Sequence, residues 1–201
     1  MDIATARALN FSSVETFSEP FPYIVSSEAF SEGMSLRILD WLGTYLPWKL
    51  VETDFYEQYE FSLFDVDLPL DLSFLKETSF LNSLRSEIKG LFNASLGSRV
   101  DITAHKLIPG QRIRIHNDYL PGQETHRLLI QLNRNWADDM GGFLLFFNSA
   151  DPSDVHRVFR PIHNSLVGFA ISPNSNHAVS TIHGGERFTL VYSFYGNYGD
   201  A

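Results

Sequence analysis

The second half of the chain is a series of short apolar runs separated by turn-forming pairs, and this pattern constrains the fold most strongly. From about Val100 the runs are "VDITAHKLI", "RIRIH", "HRLLIQLN", "GFLLFFN", "VHRVFRP", "SLVGFAIS", "AVSTI" and "RFTLVYSFYG". Pro-Gly, Gly-Gly and Pro-Asn pairs lie between them. Many short strands at such spacing are typical of an antiparallel sandwich or barrel. We therefore expect a jelly-roll β core over about 100–201.

The first half of the chain has a different pattern, with helical spacing of apolar residues in two places. After a short strand from Tyr23, a Ser-Ser-Glu start with Ser27 as N-cap predicts a helix that ends near Gly43. A second amphipathic helix is predicted within 79–97. The expected fold class is α+β, with these N-terminal helices packed on the β core. We expect one domain over 1–201, comprising an N-terminal arm at about 1–20, a helical and strand support region at 21–99, and the core.

Charge and composition exclude several classes of partner. The formal net charge of −9 argues against nucleic-acid binding, which needs a basic face, and against docking on anionic lipid. The absence of cysteine excludes disulfides and thiolate metal sites. The N-terminus shows no secretory signal pattern, and no apolar stretch approaches the ~18 residues of a membrane span. We expect a cytoplasmic protein that acts on a small molecule or peptide, without nucleic-acid or membrane partners.

The stretch "RIRIHNDYL" at 112–120 carries an imidazole and a carboxylate two residues apart. Because strand side chains alternate between faces, His116 and Asp118 are expected on one face, together with Arg112 and Arg114. A His-x-Asp pair on one face can bind a divalent metal, but a third ligand must come from elsewhere. A polar, salt-bridged strand end is the alternative interpretation.

A second group of polar residues lies in "HAVSTIHGGERFTLVYSF". His177 and His183 both lie in this stretch and are candidates for the third ligand. Ten residues after His177, Arg187 opens an apolar strand, and alternation puts Arg187 and Thr189 on the same face. A guanidinium on such a face requires a partner, and its planar donors suit a carboxylate. Thr189 could donate its hydroxyl to the same anion.

In order and spacing, these motifs resemble those of the iron(II)- and 2-oxoglutarate-dependent dioxygenases, and among them the prolyl-4-hydroxylase-like branch. The resemblance extends over about 105–196 and includes "IPGQRIRIHNDY", "RLLIQLNRNWADDMGGFLLFFN" and "PIHNSLVGFAISPNSNHAV". It implies that His116, Asp118 and His177 hold Fe(II) as a facial triad. It further implies that 2-oxoglutarate and O2 take the remaining positions.

The same resemblance assigns the co-substrate contacts. Arg187 would bind the distal carboxylate of 2-oxoglutarate, helped by Thr189. Gln131 stands where many members carry a tyrosine, and it can still hydrogen-bond a carboxylate oxygen. The retained Asp118 argues against a halogenating enzyme, because those members lack the carboxylate.

The function implied is hydroxylation of a C–H bond of an amino acid, peptide or peptide-derived small molecule, with release of succinate and CO2. Desaturation, epoxidation or cyclisation in biosynthetic tailoring remain alternatives, as do a non-catalytic metal-binding or sensor protein and a cupin-like metal enzyme. The candidate substrate residues are Arg112, Arg114, Arg127 and Tyr119. For the three arginines, a solvated charge at the rim of the barrel is the commoner role.

Overall fold

The structure is a computed structural model that describes residues 9–197 and consists mainly of antiparallel β-sheet. The helices of this described part are α1 at Glu32–Leu42 and α2 at Thr78–Phe92. The strands are β1 Glu15–Phe17, β2 Tyr23–Ser26, β3 Lys49–Glu52, β4 Glu57–Ser62, β5 Leu96–Leu107, β6 Ile113–His116, β7 Glu124–Gln131, β8 Leu144–Phe147, β9 Val155–Phe159, β10 Leu166–Ala170, β11 His177–Val179 and β12 Arg187–Gly196.

The strands form two sheets, which is the arrangement expected of a jelly-roll core. The larger sheet has eight strands in the order β1-β2-β10-β7-β12-β5-β4-β3. The smaller sheet has four strands in the order β6-β11-β8-β9. Strands that are neighbours in space are mostly distant in sequence, so the chain crosses repeatedly between the sheets. The fold class predicted from the spacing of the apolar runs agrees with this β-rich architecture.

Alternation along β12 divides the protein interior into two apolar clusters. Phe188 and Leu190 belong to the cluster that contains Ile38 of α1 and Ile88 of α2. Val191 belongs to the second cluster, which lies between the two sheets. Successive strand side chains point to opposite faces, so the larger sheet is covered by the helices on one face and by the smaller sheet on the other. The functional residues lie on this second face.

The predicted start of α1 is wrong. Ser27 is not its N-cap, because the helix begins at Glu32, directly after Ser31. The preceding backbone is held instead by Asn164, which accepts from the Phe30 N–H at 2.9 Å and donates to the Phe30 carbonyl at 2.7 Å. These long-range bonds hold the segment in a non-helical conformation, and a local capping pattern cannot reveal them.

The first half of the chain contributes more to the sheet than the sequence suggested. Of the arm expected at 1–20, residues 1–8 lie outside the described part, and Glu15–Phe17 form strand β1 on the sheet edge. The expectation of an arm is therefore wrong for this strand. Strands β3 and β4 extend the opposite side of the same sheet, where β4 pairs with β5. Neither helix of the described residues is long and apolar enough to cross a membrane.

Candidate metal and co-substrate site

Three potential metal ligands meet between the two sheets. His116 at the end of β6 lies opposite His177 at the start of β11, and Asp118 follows β6. The Asp118 Oδ1 atom lies 3.2 Å from His116 Nε2, and its Oδ2 atom lies 3.1 Å from His177 Nε2. One ligand atom from each of the three residues lies within 4.8 Å of the others. The three residues proposed from the sequence are thus brought together.

Backbone carbonyls orient both imidazoles. His116 Nδ1 lies 2.8 Å from the Arg114 carbonyl oxygen, and His177 Nδ1 lies 2.7 Å from that of Ser175. A carbonyl can only accept, so Nδ1–H donates and the lone pair of each Nε2 faces the other ligands. This is how a protein prepares histidine to bind a metal. Burial lowers the pKa of His177, which favours the neutral ligand form.

Asp118 reaches the group by a route that strand alternation does not describe. β6 ends at His116, and Asp118 has a backbone φ of 58°, in the left-handed region. The strand therefore does not continue to Asp118, although the Asp118 carboxylate does meet His116. Asx residues tolerate this conformation better than most, so an aspartate suits the position for its backbone as well as its charge.

A β-bulge changes which residues of β6 face the cavity. His116 lies opposite His177, whereas Ile113 lies opposite Val179, so three steps along β6 match two along β11. The extra residue reverses the alternation, and Ile113 therefore lines the cavity together with His116.

The bulge also moves two predicted substrate residues away from the site. Arg112 and Arg114 line a separate surface groove, where Arg114 Nη1 donates to the Asp54 carbonyl at 3.4 Å. The prediction that they share the face of His116 is wrong. It failed because a bulge, unlike regular alternation, leaves no clear pattern in the sequence.

Arg127 points into the cavity and binds the metal-site carboxylate. Its Nη1 donates to Asp118 Oδ2 at 2.5 Å, and its Nε and Nη2 donate to the Glu124 carboxylate at 2.9 and 2.6 Å. Burial alone would raise the pKa of Asp118, but the positive charge of Arg127 holds it well below the usual range. The carboxylate is therefore ionised and fixed in orientation before any metal arrives.

Arg187 places a buried guanidinium at another end of the same cavity. The residue is 4% exposed, its Nε donates to the Gly142 carbonyl at 2.9 Å, and its Nη1 donates to Thr189 Oγ1 at 2.9 Å. Thr189 in turn donates to Gln131 Oε1 at 3.1 Å. No carboxylate of the described residues lies within 4.0 Å of the guanidinium, and burial lowers the pKa of Arg187 to about 10. A buried cation without an anion is costly, so this end is built to receive one.

These groups line a single cavity of about 240 Å³. Thr189, Val191 and Ser193 form part of its wall, as alternation from Arg187 predicted. Gln131 is 2% exposed and lies behind Thr189. Phe55 and Tyr56 also line the cavity, and its remaining polar wall was not predicted from the sequence. That wall consists of Gln58, Glu60, Thr103 and His105.

Two other candidates lie outside this cavity. Tyr119 is 42% exposed and lines a shallow groove beside Leu120, at the outer side of the metal ligands. His183, the rival third ligand, is exposed and does not join the three-residue group.

Comparison with known proteins agrees with this geometry. A sequence profile described as "2OG-Fe(II) oxygenase superfamily" matches residues 102–194, a range that contains both histidine ligands, Asp118 and Arg187. This match supports assignment of the chain to that superfamily. The predicted class, an Fe(II)/2-oxoglutarate-dependent dioxygenase, and the predicted cofactors are those of the family.

Similar proteins support the prolyl-hydroxylase-like branch. The mouse protein "Prolyl 3-hydroxylase OGFOD1" is 27% identical over 187 residues, which are 87% of this chain and 32% of that protein. The chain thus spans about a third of the length of this curated relative. A Pseudomonas putida prolyl-4-hydroxylase has a TM-score of 0.62 at 17% identity, covering 82% of this chain and 83% of that one. A Trichoplax adhaerens prolyl hydroxylase in complex with a peptide fragment has a TM-score of 0.63 at 16% identity, covering 81% and 76%. The two structural likenesses demonstrate a common fold.

Proposed function

We propose that the chain is an Fe(II)- and 2-oxoglutarate-dependent oxygenase that hydroxylates a C–H bond of an amino acid, peptide or peptide-derived small molecule. One observation carries this proposal. Two imidazoles and a carboxylate share a cavity with a buried Arg187 that has no carboxylate partner among the described residues. In this proposal residues 100–201 carry the chemistry, and 21–99 support and wall the cavity.

The ligand set fits iron(II). His116, Asp118 and His177 supply two nitrogens and one oxygen, the facial combination of non-haem iron oxygenases. These side chains already have other hydrogen-bond partners. The two histidine Nδ1–H groups donate to backbone carbonyls, and Asp118 accepts from Arg127. Such outer partners raise metal affinity by fixing the ligands in a binding orientation.

The opposite end fits 2-oxoglutarate. A dicarboxylate can place one carboxylate at the metal ligands and the other at Arg187 and Thr189. The guanidinium is held rigidly by the Gly142 carbonyl, so Nη2 remains available for an incoming oxygen. Arg187 thereby selects a doubly charged co-substrate over a monocarboxylate of similar length.

When bound, Fe(II) would supply oxidising power by coupling the reduction of O2 to the oxidative decarboxylation of 2-oxoglutarate to succinate and CO2. The chain's own residues contribute position and environment. The apolar wall of Leu129, Leu144 and Val191 limits water around the reacting groups, which protects a reactive centre from side reactions. Arg127 keeps Asp118 ionised and oriented throughout.

Two of the similar proteins support the substrate proposal. They are a prolyl 3-hydroxylase and a prolyl hydroxylase in complex with a peptide fragment. An exposed groove with Tyr119, Leu120 and Phe55 adjoins the metal ligands and could receive the rest of a peptide. We propose a proline-containing peptide as the first substrate to examine.

Measurement of turnover by the purified protein tests the proposed function. The purified protein is given Fe(II), 2-oxoglutarate and O2, and succinate is quantified with and without a panel of amino acids and proline-containing peptides. We expect succinate from the wild-type protein, its formation to rise with a substrate that gains the mass of one oxygen atom, and none from Asp118→Ala. His183→Ala, a change at an exposed histidine outside the ligand group, should retain activity. Wild-type protein that forms no succinate under any of these conditions would refute the proposal.

A further inference from the structure

The cavity extends beyond the co-substrate end, across β5 to β4. Glu60 of β4 pairs in register with His105 of β5, and His105 pairs with Thr189 of β12. Glu60, His105 and Thr189 all line the cavity and form one row across the sheet. Since neighbouring strands are about 4.8 Å apart, Glu60 lies about 10 Å from Thr189 along this row. The extension therefore offers space beside the bound co-substrate, outside the volume that the co-substrate itself would occupy.

Gln58 supplies an unused hydrogen-bond acceptor at this end. The residue is 3% exposed and lines the cavity. Its Nε2 donates to Glu60 Oε2 at 2.7 Å, but its buried Oε1 has no hydrogen-bond partner among the described residues. Leaving a buried acceptor unpaired costs about 1–3 kcal/mol. An incoming N–H donor would remove this cost.

Glu60 also lacks a cationic partner of its own. The only basic group of the described residues within 4.0 Å of its carboxylate is His105, whose Nε2 lies 3.8 Å from Glu60 Oε2. Burial, together with the positive charges of Arg127 and Arg187, lowers the pKa of His105 to about 3. His105 is therefore neutral at physiological pH and does not balance the charge of Glu60.

The charge balance of the site with Fe(II) and 2-oxoglutarate bound also indicates that Glu60 lacks a cationic partner. The charges of Fe(II) and Arg187 would cancel those of Asp118 and doubly ionised 2-oxoglutarate. Arg127 is matched by Glu124, to which it donates two hydrogen bonds. The carboxylate of Glu60 is then the one unbalanced charge on the cavity wall among the described residues. A cation beside it would complete the balance.

We infer that Gln58 and Glu60 form a substrate subsite for a positively charged nitrogen group, an ammonium or a guanidinium. The inference rests on the proposed function, because it assigns this group to the substrate of the same oxygenase site. The Glu60 carboxylate supplies the charge, and Gln58 Oε1 accepts one N–H of the same group. An ordinary packing role for Gln58 would leave its buried Oε1 acceptor without a partner.

The test uses matched peptides on protein loaded with Ni(II) and 2-oxoglutarate, so that no turnover occurs. The probes are acetyl-Lys-Pro-amide, acetyl-Pro-Lys-amide, their arginine counterparts, and versions with uncharged norleucine. We expect at least one cationic probe to bind about tenfold more tightly than its norleucine version in calorimetric titration. Glu60→Gln, which keeps the shape of the side chain, should reduce this preference to below about twofold. Glu52→Gln, a change at an exposed carboxylate on β3, should leave it intact.

The outcomes separate the two proposals. If 2-oxoglutarate itself does not bind, the proposed function fails; if it binds and no cationic probe is preferred, only the subsite is wrong. A preference that persists in Glu60→Gln would also overturn the subsite. Glu60→Lys provides the reciprocal measurement, since it should make a glutamate-bearing probe bind more tightly than the lysine-bearing one. Retained 2-oxoglutarate binding by each variant shows that it is folded.

Discussion

The anion-binding end of the cavity gives the most quantitative prediction, for the variant Arg187→Met. Burial lowers the pKa of this guanidinium from 12.5 to about 10. Each pKa unit corresponds to about 1.4 kcal/mol, so the folded protein disfavours the charged form by roughly 3 kcal/mol. A carboxylate bound at Arg187 recovers much of this cost, because charge-assisted hydrogen bonds contribute about 1.5–3 kcal/mol. Arg187→Met should therefore weaken 2-oxoglutarate binding by about 10- to 150-fold.

The same reasoning predicts no loss of stability in the unloaded protein. The variant removes a buried charge, which is favourable, but it leaves the Gly142 carbonyl without its donor, which costs about 1–3 kcal/mol. These effects oppose each other, so the free energy of unfolding in denaturant should lie between the wild-type value and about 2 kcal/mol above it. Arg187→Lys should bind the co-substrate with intermediate affinity, since one ammonium cannot serve Gly142 and a carboxylate in the same geometry.

The assay is an anaerobic titration of metal-loaded protein with 2-oxoglutarate, followed by calorimetry. Arg112→Met is the matched control, because it removes an arginine that lines a different, exposed groove. It should leave 2-oxoglutarate affinity unchanged. An Arg187→Met protein that is folded and binds 2-oxoglutarate within about threefold of wild type would refute the assignment of this end to the distal carboxylate.

Three further variants test other parts of the structure. Burial lowers the pKa of His126 to about 4, so below about pH 6.5 the unfolded chain binds a proton at this residue that the folded chain does not bind. His126 should therefore contribute about 2 kcal/mol to the fall in stability from pH 6.5 to pH 4, and His126→Gln should remove that contribution in a pH series of denaturation curves. Gly142→Ala should lower the free energy of unfolding by about 1–3 kcal/mol, because Gly142 has a φ of 70° and a Cβ there would lie 2.6 Å from Ile182 Cδ1. The same Cβ would lie 3.0 Å from Arg187 Cδ, so the variant should also weaken 2-oxoglutarate binding. Arg127→Gln should lower affinity for Fe(II) about 10- to 100-fold in competition with a chelator, since Asp118 would lose its orienting donor; unchanged affinity would assign Arg127 to packing alone.

The β core and its wall residues were the most predictable parts of the molecule. Turn pairs and apolar runs in the second half are local signals, and period-two alternation on β12 correctly put Arg187 and Thr189 on the cavity side. The grouping of His116 with His177 came from the resemblance, since nothing local joins residues so far apart in sequence.

The failures have physical causes that the sequence does not display. A bulge in β6 reversed the expected face of Arg112 and Arg114, and a left-handed residue at Asp118 ended the strand. The polar wall from Gln58 to His105 was missed because it depends on pairing between β4 and β5, more than 40 residues apart in sequence. Weak alternation in the first half concealed the strands that complete the larger sheet.

The central claim is that His116, Asp118 and His177 together hold one Fe(II) that also binds 2-oxoglutarate. Its most direct test is anaerobic titration of the purified protein with Fe(II) and 2-oxoglutarate, monitored by the weak visible metal-to-ligand charge-transfer band. We predict a band that saturates at one iron for each chain, disappears in His177→Ala and persists in His183→Ala. A wild-type protein without the band, or a His177→Ala protein that retains it, would contradict the account.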